Sequence, residues 1–390
     1  MDSRVLIIRF SSIGDVVQAL SLPSVIQYRF MKAEIHWLVH EDFAPLIEHH
    51  PSVCKVWKLP RSSSSGDSGS RGSRSSISSS ISGLLDICRQ LDAQNFTHIY
   101  DAHNSLRSNL VTWLVRAPHY AQKPRPWFKR WLLFKFGKNL FKQPFSGQRD
   151  LIEPLAAWGI PFSLPPVPQM FIPNETLNKV SRLLALEFGQ ASDSEAADGA
   201  APDTNRPDEL EATDYTTMDS TTTDSTTTQN KLNFVALGPS AAYELKRWPL
   251  EYWQKLIESF PQTKFVLLGG IQDTFLKELA TTKNVHNFGG ALSLLESAAV
   301  VKMAKVLVVN DTGLLHFAEQ LGTKAIALMG PAPFGFPSRE STTILQIHLP
   351  CRPCSKHGQG PCRNPERHKC MRDILPTAVA EKLNDILGGP

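Results

Sequence analysis

The residues best suited to chemistry stand at turns where an apolar run gives way to an apolar-periodic segment. In KVLVVNDTGLLH (Lys305 to His316) the run Val306–Val309 reads as a buried parallel strand. Asn310–Gly313 ends it, and Leu314, Leu315, Phe317, Ala318 and Leu321 recur at helical spacing. Thr312 is a natural N-cap. Unpaired amides at a helix N-terminus, beyond the carboxyl end of a strand, suit a phosphorylated ligand. An ordinary capped turn would use Asp311, Thr312 and Gly313 as readily. His316, one helical turn from Thr312 on the same face, moves the reading towards a ligand site.

Other turns share this placement. Ser11-Ser12-Ile13-Gly14-Asp15 follows a first strand. Gly14 admits a close backbone approach, and Asp15 is either a helix N-cap or a carboxylate aimed into a crevice. The stretch Asp101 to Ser108 sets Asp101, His103, Asn104 and Arg107 at another strand end; Arg107 suits an acidic ligand group or is a solvated helix charge. Gly238 to Pro249 carries Ser240, Lys246 and Arg247 ahead of a helix whose first turn accepts Pro249. These cations suit a diphosphate, although the Walker A spacing is absent. Gly269-Gly270, with Gln272 and Asp273, and Gly289-Gly290-Ala291-Leu292-Ser293 end two more strands. In a parallel sheet such turns face one edge and together outline a nucleotide-sized pocket.

The elements that must position these residues alternate between strand and helix, which implies βαβ units and parallel sheets. The first series is strand Arg4–Phe10, helix Val16–Phe30, strand Glu34–His40, a short helix from Asp42, strand Val53–Trp57, helix Leu84–Ala93 and strand Thr97–Asp101. The second is strand Asn233–Leu237, helix Leu250–Phe260, strand Lys264–Leu268, helix Gln272–Ala280, a short strand near Val285, helix Ser293–Met303, the central strand with its helix, strand Ala325–Met329 and a closing helix Pro376–Leu387. Trp127 to Lys142 mixes aromatics with Lys and Arg. It reads as an amphipathic helix packed on its own domain, with an interfacial membrane helix as the alternative.

The 390 residues therefore divide into an N-terminal domain over 1–160, a linker and helix over 161–189, and a C-terminal domain over 231–390. Two inserts interrupt them: a Ser-rich one over 61–83 and an acidic Thr/Ser-rich one over 190–230. Neither holds enough large apolar residues to form a core, so both are expected to be disordered. The net charge of +4 hides an asymmetry, because 190–230 contains ten acidic residues and one Arg. The cationic excess gathers between Lys123 and Arg149 and suggests an anionic partner. No apolar run is long enough for a transmembrane helix and no signal peptide is evident, so a cytoplasmic location is expected. The spacing Cys351-x2-Cys354-x7-Cys362-x7-Cys370 could complete a tetrahedral zinc site, with His357 and His368 as alternative ligands. Reduced free thiols and an iron–sulfur cluster are the other readings.

The segments RVLIIRFSSIGDVVQALSLP, VHEDFAPLIEHHPSVCKVW, YDAHNSLRS, KRWP, FVLLGG, VVNDTGLLHFAEQLGTKAIALMGP and CRPC through ILPTAV, taken together, resemble the ADP-heptose:lipopolysaccharide heptosyltransferases of glycosyltransferase family 9. The Cys-rich tail is more similar to the second-heptose branch. The resemblance implies a GT-B fold, two Rossmann-like domains facing a cleft, with the acceptor held mainly by the first and the ADP-sugar by the second. It implies an inverting, metal-independent transfer of heptose from ADP-L-glycero-D-manno-heptose to a lipopolysaccharide inner-core acceptor. By position it makes Asp15 the general base and Lys246 the diphosphate lysine. Ser240, Asp273, Leu292, Asp311, Thr312, Gly313 and His316 then fall to the donor, and Ser12, Gly14, His103, Asn104, Arg107, Lys123 and Arg125 to the acceptor. Ala241-Ala242 departs from the Thr-Thr of some members, and Leu292 stands where some carry Met. No catalytic cofactor and no nucleic acid is expected, and contact with the cytoplasmic face of the inner membrane fits the basic stretch. Another nucleotide sugar, a GT-B-like nucleotide-sugar epimerase and a non-catalytic glycan-binding relative are the competing functions. The epimerase leaves the basic stretch unexplained, and Asp15, Lys246 and His316 together argue against the non-catalytic relative.

Overall fold

This computed structural model describes residues 3–60, 74–189 and 233–388, with the backbone alone over 74–81. The acidic insert 190–230 and the 61–73 part of the Ser-rich insert lie outside the described residues.

The chain forms two all-parallel sheets. The first contains β1 (Arg4–Ile8), β2 (Glu34–His40), β3 (Lys55–Leu59), β4 (His98–Asp101) and β5 (His119–Gln122) in the order β3-β2-β1-β4-β5. The second contains β6 (Phe234–Gly238), β7 (Lys264–Leu267), β8 (Val285–Asn287), β9 (Val306–Asn310), β10 (Ala325–Met329) and β11 (Thr342–Gln346) in the order β11-β10-β9-β6-β7-β8. β6, β9 and β10 are buried at every position, which is why their sequences are continuous apolar runs rather than alternating ones. Strand order reverses between β1 and β4 in the first sheet and between β6 and β9 in the second. The crevices at these two switch points lie beyond the strands' carboxyl ends, the position where open α/β sheets bind ligands.

The helices are α1 (Ile13–Gln18), α2 (Ser21–Arg29), α3 (Arg74–Asp92), α4 (Leu106–Leu114), α5 (Trp127–Phe136), α6 (Gly147–Ile152), α7 (Asn174–Glu187), α8 (Leu250–Glu258), α9 (Leu294–Met303), α10 (Gly313–Leu321), α11 (Lys369–Arg372) and α12 (Pro376–Leu387). Several depart from the sequence expectation. The helix expected over Val16–Phe30 is two helices, because Pro23 has no N–H to bond Ala19 and its ring would crowd that carbonyl. α3 begins at Arg74, so the C-terminal part of the Ser-rich stretch is helical rather than loop. The helices expected at Asp42 and Gln272 are short 3-10 turns, Glu41–Leu46 and Thr274–Glu278. The aromatic helix stops at Phe136, where Gly137 takes a left-handed conformation at φ 67°. Among the described helices none is long and apolar enough to cross a membrane.

The two sheets meet through α1 and α10. Gly14 and Gly313 make the approach possible: a Cβ on Gly14 would stand 3.1 Å from His316 Cδ2, and one on Gly313 2.9 Å from Ile13 Cγ2. Buried amides then tie the helices together, Gln320 Nε2 donating to the Val17 carbonyl at 2.9 Å and the Gln18 carbonyl at 3.1 Å.

Candidate active site

Asp15 lies in the first turn of α1, one turn beyond the N-cap Ser12. It is not the cap. Its Oδ2 accepts from Ser12 Oγ at 3.1 Å and pairs with Arg9 Nη2 at 2.5 Å. Arg9 issues from the end of β1, almost wholly buried, and is held by the Ala102 carbonyl through Nη1 at 2.5 Å. The Asp15 carboxylate is ringed by protein yet keeps 42 % of its side chain open to a water-sized molecule. Burial alone would raise its pKa. The charges of Arg9 and Lys123 and the Ser12 bond outweigh burial and hold it near about 2. Asp15 is therefore ionised at any working pH.

The turn after β4 supplies the neighbouring wall. Asp101 Oδ1 accepts from the His103 and Asn104 amides at 2.9 and 2.8 Å, and Asn104 Nδ2 donates to the Lys123 carbonyl at 2.7 Å. His103 packs on Phe10 at 5.1 Å; burial and the Arg9 charge depress its pKa to about 4, so it is neutral near pH 7. Lys123 is pushed down to about 8 by burial and by Arg9, against the pull of Asp15 and Asp150. Arg125 reaches the His103 carbonyl at 3.3 Å, whereas Arg107 stands exposed on α4.

Across the cleft, Asn310 at the end of β9 braces the loop after β6: its Nδ2 donates to the Pro239 carbonyl at 2.7 Å and its Oδ1 accepts from the Trp248 amide at 3.2 Å. This sets Lys246 Nζ 2.7 Å from Asp311 Oδ2, with 13 % and 8 % of the two side chains exposed. Thr312 caps α10 as expected, its Oγ1 accepting from the Leu314 amide at 3.3 Å. The Ser240 hydroxyl is buried without a hydrogen-bond partner. Asp273 closes the Gly270 turn, its Oδ2 accepting from that amide at 2.7 Å, and its Oδ1 stands 3.9 Å from Arg247 Nη2. Leu292 is half-buried and packs on the core. His316 is buried; its Nδ1 faces Glu319 Oε2 at 3.0 Å and its Nε2 faces Gln18 Nε2 at 2.9 Å. In this conformation it joins the two domains at their contact.

Sequence reasoning missed Arg9 and Lys356, and named His357 only as an alternative metal ligand. Lys356 feels Arg130, Arg125 and Asp15, and His357 feels Lys356, Lys246 and Asp15, so both halves of the site converge on one cleft. Arg9 was legible only as the last charge in the first strand; Lys356 and His357 carried no motif beyond the Cys spacing around them. Conversely, Arg149 of the basic stretch is buried and bound to the Lys142 and Pro144 carbonyls, so it presents no charge to a partner.

The Cys cluster gathers at one place in the fold. The four thiols line one small cavity with Arg352, Asn364 and His368, but among the described residues no three His, Cys, Asp or Glu side chains gather closely enough to hold an ion. All four are free cysteines, and burial raises the pKa of Cys354 and lifts that of Cys370 to about 11. A separate cavity of 640 Å³, lined by residues such as Phe188, Lys264 and His286, includes the start of β7, the opposite end from the strands' ligand-binding edge.

Two Rossmann-like domains with switch-point turns turned to a shared cleft define the GT-B architecture. Residues 194–362 match the profile of glycosyltransferase family 9 (heptosyltransferase). The fold is similar over nearly the whole chain to the family 9 glycosyl transferase from Veillonella parvula (TM-score 0.69, 17 % identity, covering 99 % of this chain and 98 % of that one). It is also similar to the ADP-heptose lipopolysaccharide heptosyltransferase II of Escherichia coli (TM-score 0.64, 20 % identity, 98 % of each chain). By sequence it is 26 % identical over 174 residues to lipooligosaccharide heptosyltransferase 2 of Campylobacter jejuni, covering 41 % of this chain and 52 % of that protein. Lipopolysaccharide heptosyltransferase 2 of Escherichia coli K12 is 27 % identical over 157 residues, 36 % of this chain and 43 % of its own length. The chain thus spans about half the length of the curated relatives it matches. The resemblance to the family 9 heptosyltransferases holds in sequence over residues 194–362 and in fold over nearly the whole chain.

Proposed function

We propose that the protein is an inverting glycosyltransferase that moves a heptose from ADP-L-glycero-D-manno-heptose to an anionic lipopolysaccharide inner-core acceptor, without a catalytic metal. The observation that carries this reading is the opposition of an ionised, partly open carboxylate, Asp15, to the Lys246–Asp311 pair at the N-terminus of α10.

Asp15 accepts the proton of an acceptor hydroxyl as that oxygen attacks C1 from the side opposite the departing ADP. A carboxylate with a pKa of about 2 is a weak base. Proton transfer therefore becomes favourable late, once the forming C–O bond has made the hydroxyl acidic. Lys246 and the first amides of α10 stabilise the charge growing on the leaving diphosphate, the task a divalent ion performs elsewhere. Lys123 and Arg125 attract the carboxylates and phosphates of the acceptor. On α5, Trp127, Phe128, Trp131 and Phe136 are exposed beside Lys129 and Lys135, a surface suited to peripheral contact with the cytoplasmic face of the inner membrane.

Calorimetric titration in EDTA tests the donor assignment. ADP should bind and UDP should not, and ADP-heptose should then support transfer in the same buffer. Binding of UDP alone would assign a different donor, and transfer restored only by a divalent ion would contradict the metal-free chemistry.

A further inference from the structure

We infer that the loop between Cys351 and Cys370 forms a third wall of the cleft, and that its Lys356, with Arg130 and Arg125 of the opposite domain, builds a subsite for a phosphate or carboxylate group of the acceptor. This rests on the transferase reading above and adds a C-terminal-domain contact to acceptor recognition.

The loop is fastened at both sides of the cleft. On the C-terminal domain, Arg352 Nε donates to the Gly330 carbonyl at 2.8 Å and the Cys354 amide to the Pro331 carbonyl at 3.2 Å. His368 Nε2 meets the Leu245 carbonyl at 2.9 Å. Buried Gly358 has φ +82°, and a Cβ there would lie 2.9 Å from Lys246 Cγ, so the loop rests directly on the candidate diphosphate lysine. Gln359 Nε2 donates to the Tyr243 hydroxyl at 2.8 Å, and the His357 ring stacks on Tyr243 at 6.5 Å. On the other side, Arg363 Nη1 donates to the Phe134 carbonyl of α5 at 2.9 Å.

Lys356 is exposed on the loop between these anchors, within electrostatic reach of Arg130 and Arg125. Arg130 lies over the Phe334 ring at 4.9 Å, with its Nε buried and without a hydrogen-bond partner. Arg125 Nη2 donates to the His103 carbonyl at 3.3 Å. The acids that act on Lys356 and Arg130 are Asp15, already paired with Arg9, and Asp150, whose own pKa burial raises. Burial and mutual repulsion disfavour the charged forms of Lys356 and Arg130, and an entering anion reverses that cost. The two arginines belong to the domain that carries Asp15, so the anion is assigned to the acceptor and not to the donor diphosphate beside Lys246.

The test uses the full chain and the variants Lys356→Ala, Arg130→Ala and Lys356→Arg. Steady-state transfer to heptose-deficient core oligosaccharide should show KM for the acceptor raised about tenfold by either alanine, restored by the arginine, with the Kd for ADP within about twofold of wild type. Weakened ADP binding with unchanged acceptor KM would move the anion to the donor and overturn the assignment. No change in either would overturn the subsite. A readout independent of turnover is the melting temperature of ADP-saturated protein titrated with inorganic phosphate: wild type should be stabilised and Lys356→Ala should not. Equal stabilisation of both would refute the subsite even if the transferase reading itself failed.

Discussion

Arg9 and Asp15 are partners at 2.5 Å, the guanidinium buried behind the carboxylate it holds. Their relation fixes the acid side of the pH profile. Asp15 acts only when ionised, and its pKa near about 2 keeps it so throughout an ordinary assay range. In Arg9→Met the raising effect of burial loses its main opponent. An acid limb should then appear in kcat/KM between about pH 4 and 7, with activity lost as pH falls. A variant with the wild-type profile would remove Arg9 from this role.

Lys123 governs the alkaline side. Its pKa of about 8 means that its positive charge is present below that value and lost as pH rises through it. KM for an anionic acceptor should therefore rise above about pH 8, and Lys123→Arg, whose guanidinium stays charged, should flatten the rise. A KM independent of pH in the wild type would contradict this assignment.

Lys246 and Asp311 must be separated or shared when a diphosphate arrives. Lys246→Ala should weaken ADP binding by about tenfold or more, and it also strands a buried carboxylate, so a fall in melting temperature is expected. The double variant Lys246→Met/Asp311→Asn removes that second effect: it should recover stability and still bind ADP poorly. Wild-type ADP affinity in the double variant would place the diphosphate elsewhere.

Most of this scaffold was legible because continuous apolar runs and capped turns are local signals. β10 and α12 have the bounds expected of them, and β9 extends its expected run only by Asn310. Of the four edge strands, β3 and β8 were expected but β5 and β11 were not legible: β5 is the four residues HYAQ, two of them exposed, and β11 is mostly half-buried, so neither shows an apolar run. The partition of Val16–Phe30 depended on one proline inside an otherwise helical pattern. Residues at strand ends in the site announced themselves through Gly, Ser, Thr and Asp. Partners drawn from far along the chain, such as Lys356 beside Arg130, could not, since only the folded loop brings them together.

Gly313 marks where α10 approaches α1. A methyl group there would meet Ile13 at 2.9 Å. Gly313→Ala should leave ADP affinity nearly unchanged and lower kcat by about tenfold, because the domains can no longer close to the same geometry. Single-turnover kinetics with saturating donor would read this; an unaltered rate would mean that the contact is not part of the reactive conformation.

Whether Asp15 removes the acceptor proton is read from the rate of heptose transfer from ADP-heptose by Asp15→Asn, measured in EDTA beside its ADP affinity. Turnover should fall by about a hundredfold or more, with ADP bound as in the wild type. Transfer by Asp15→Asn at the wild-type rate would contradict that role.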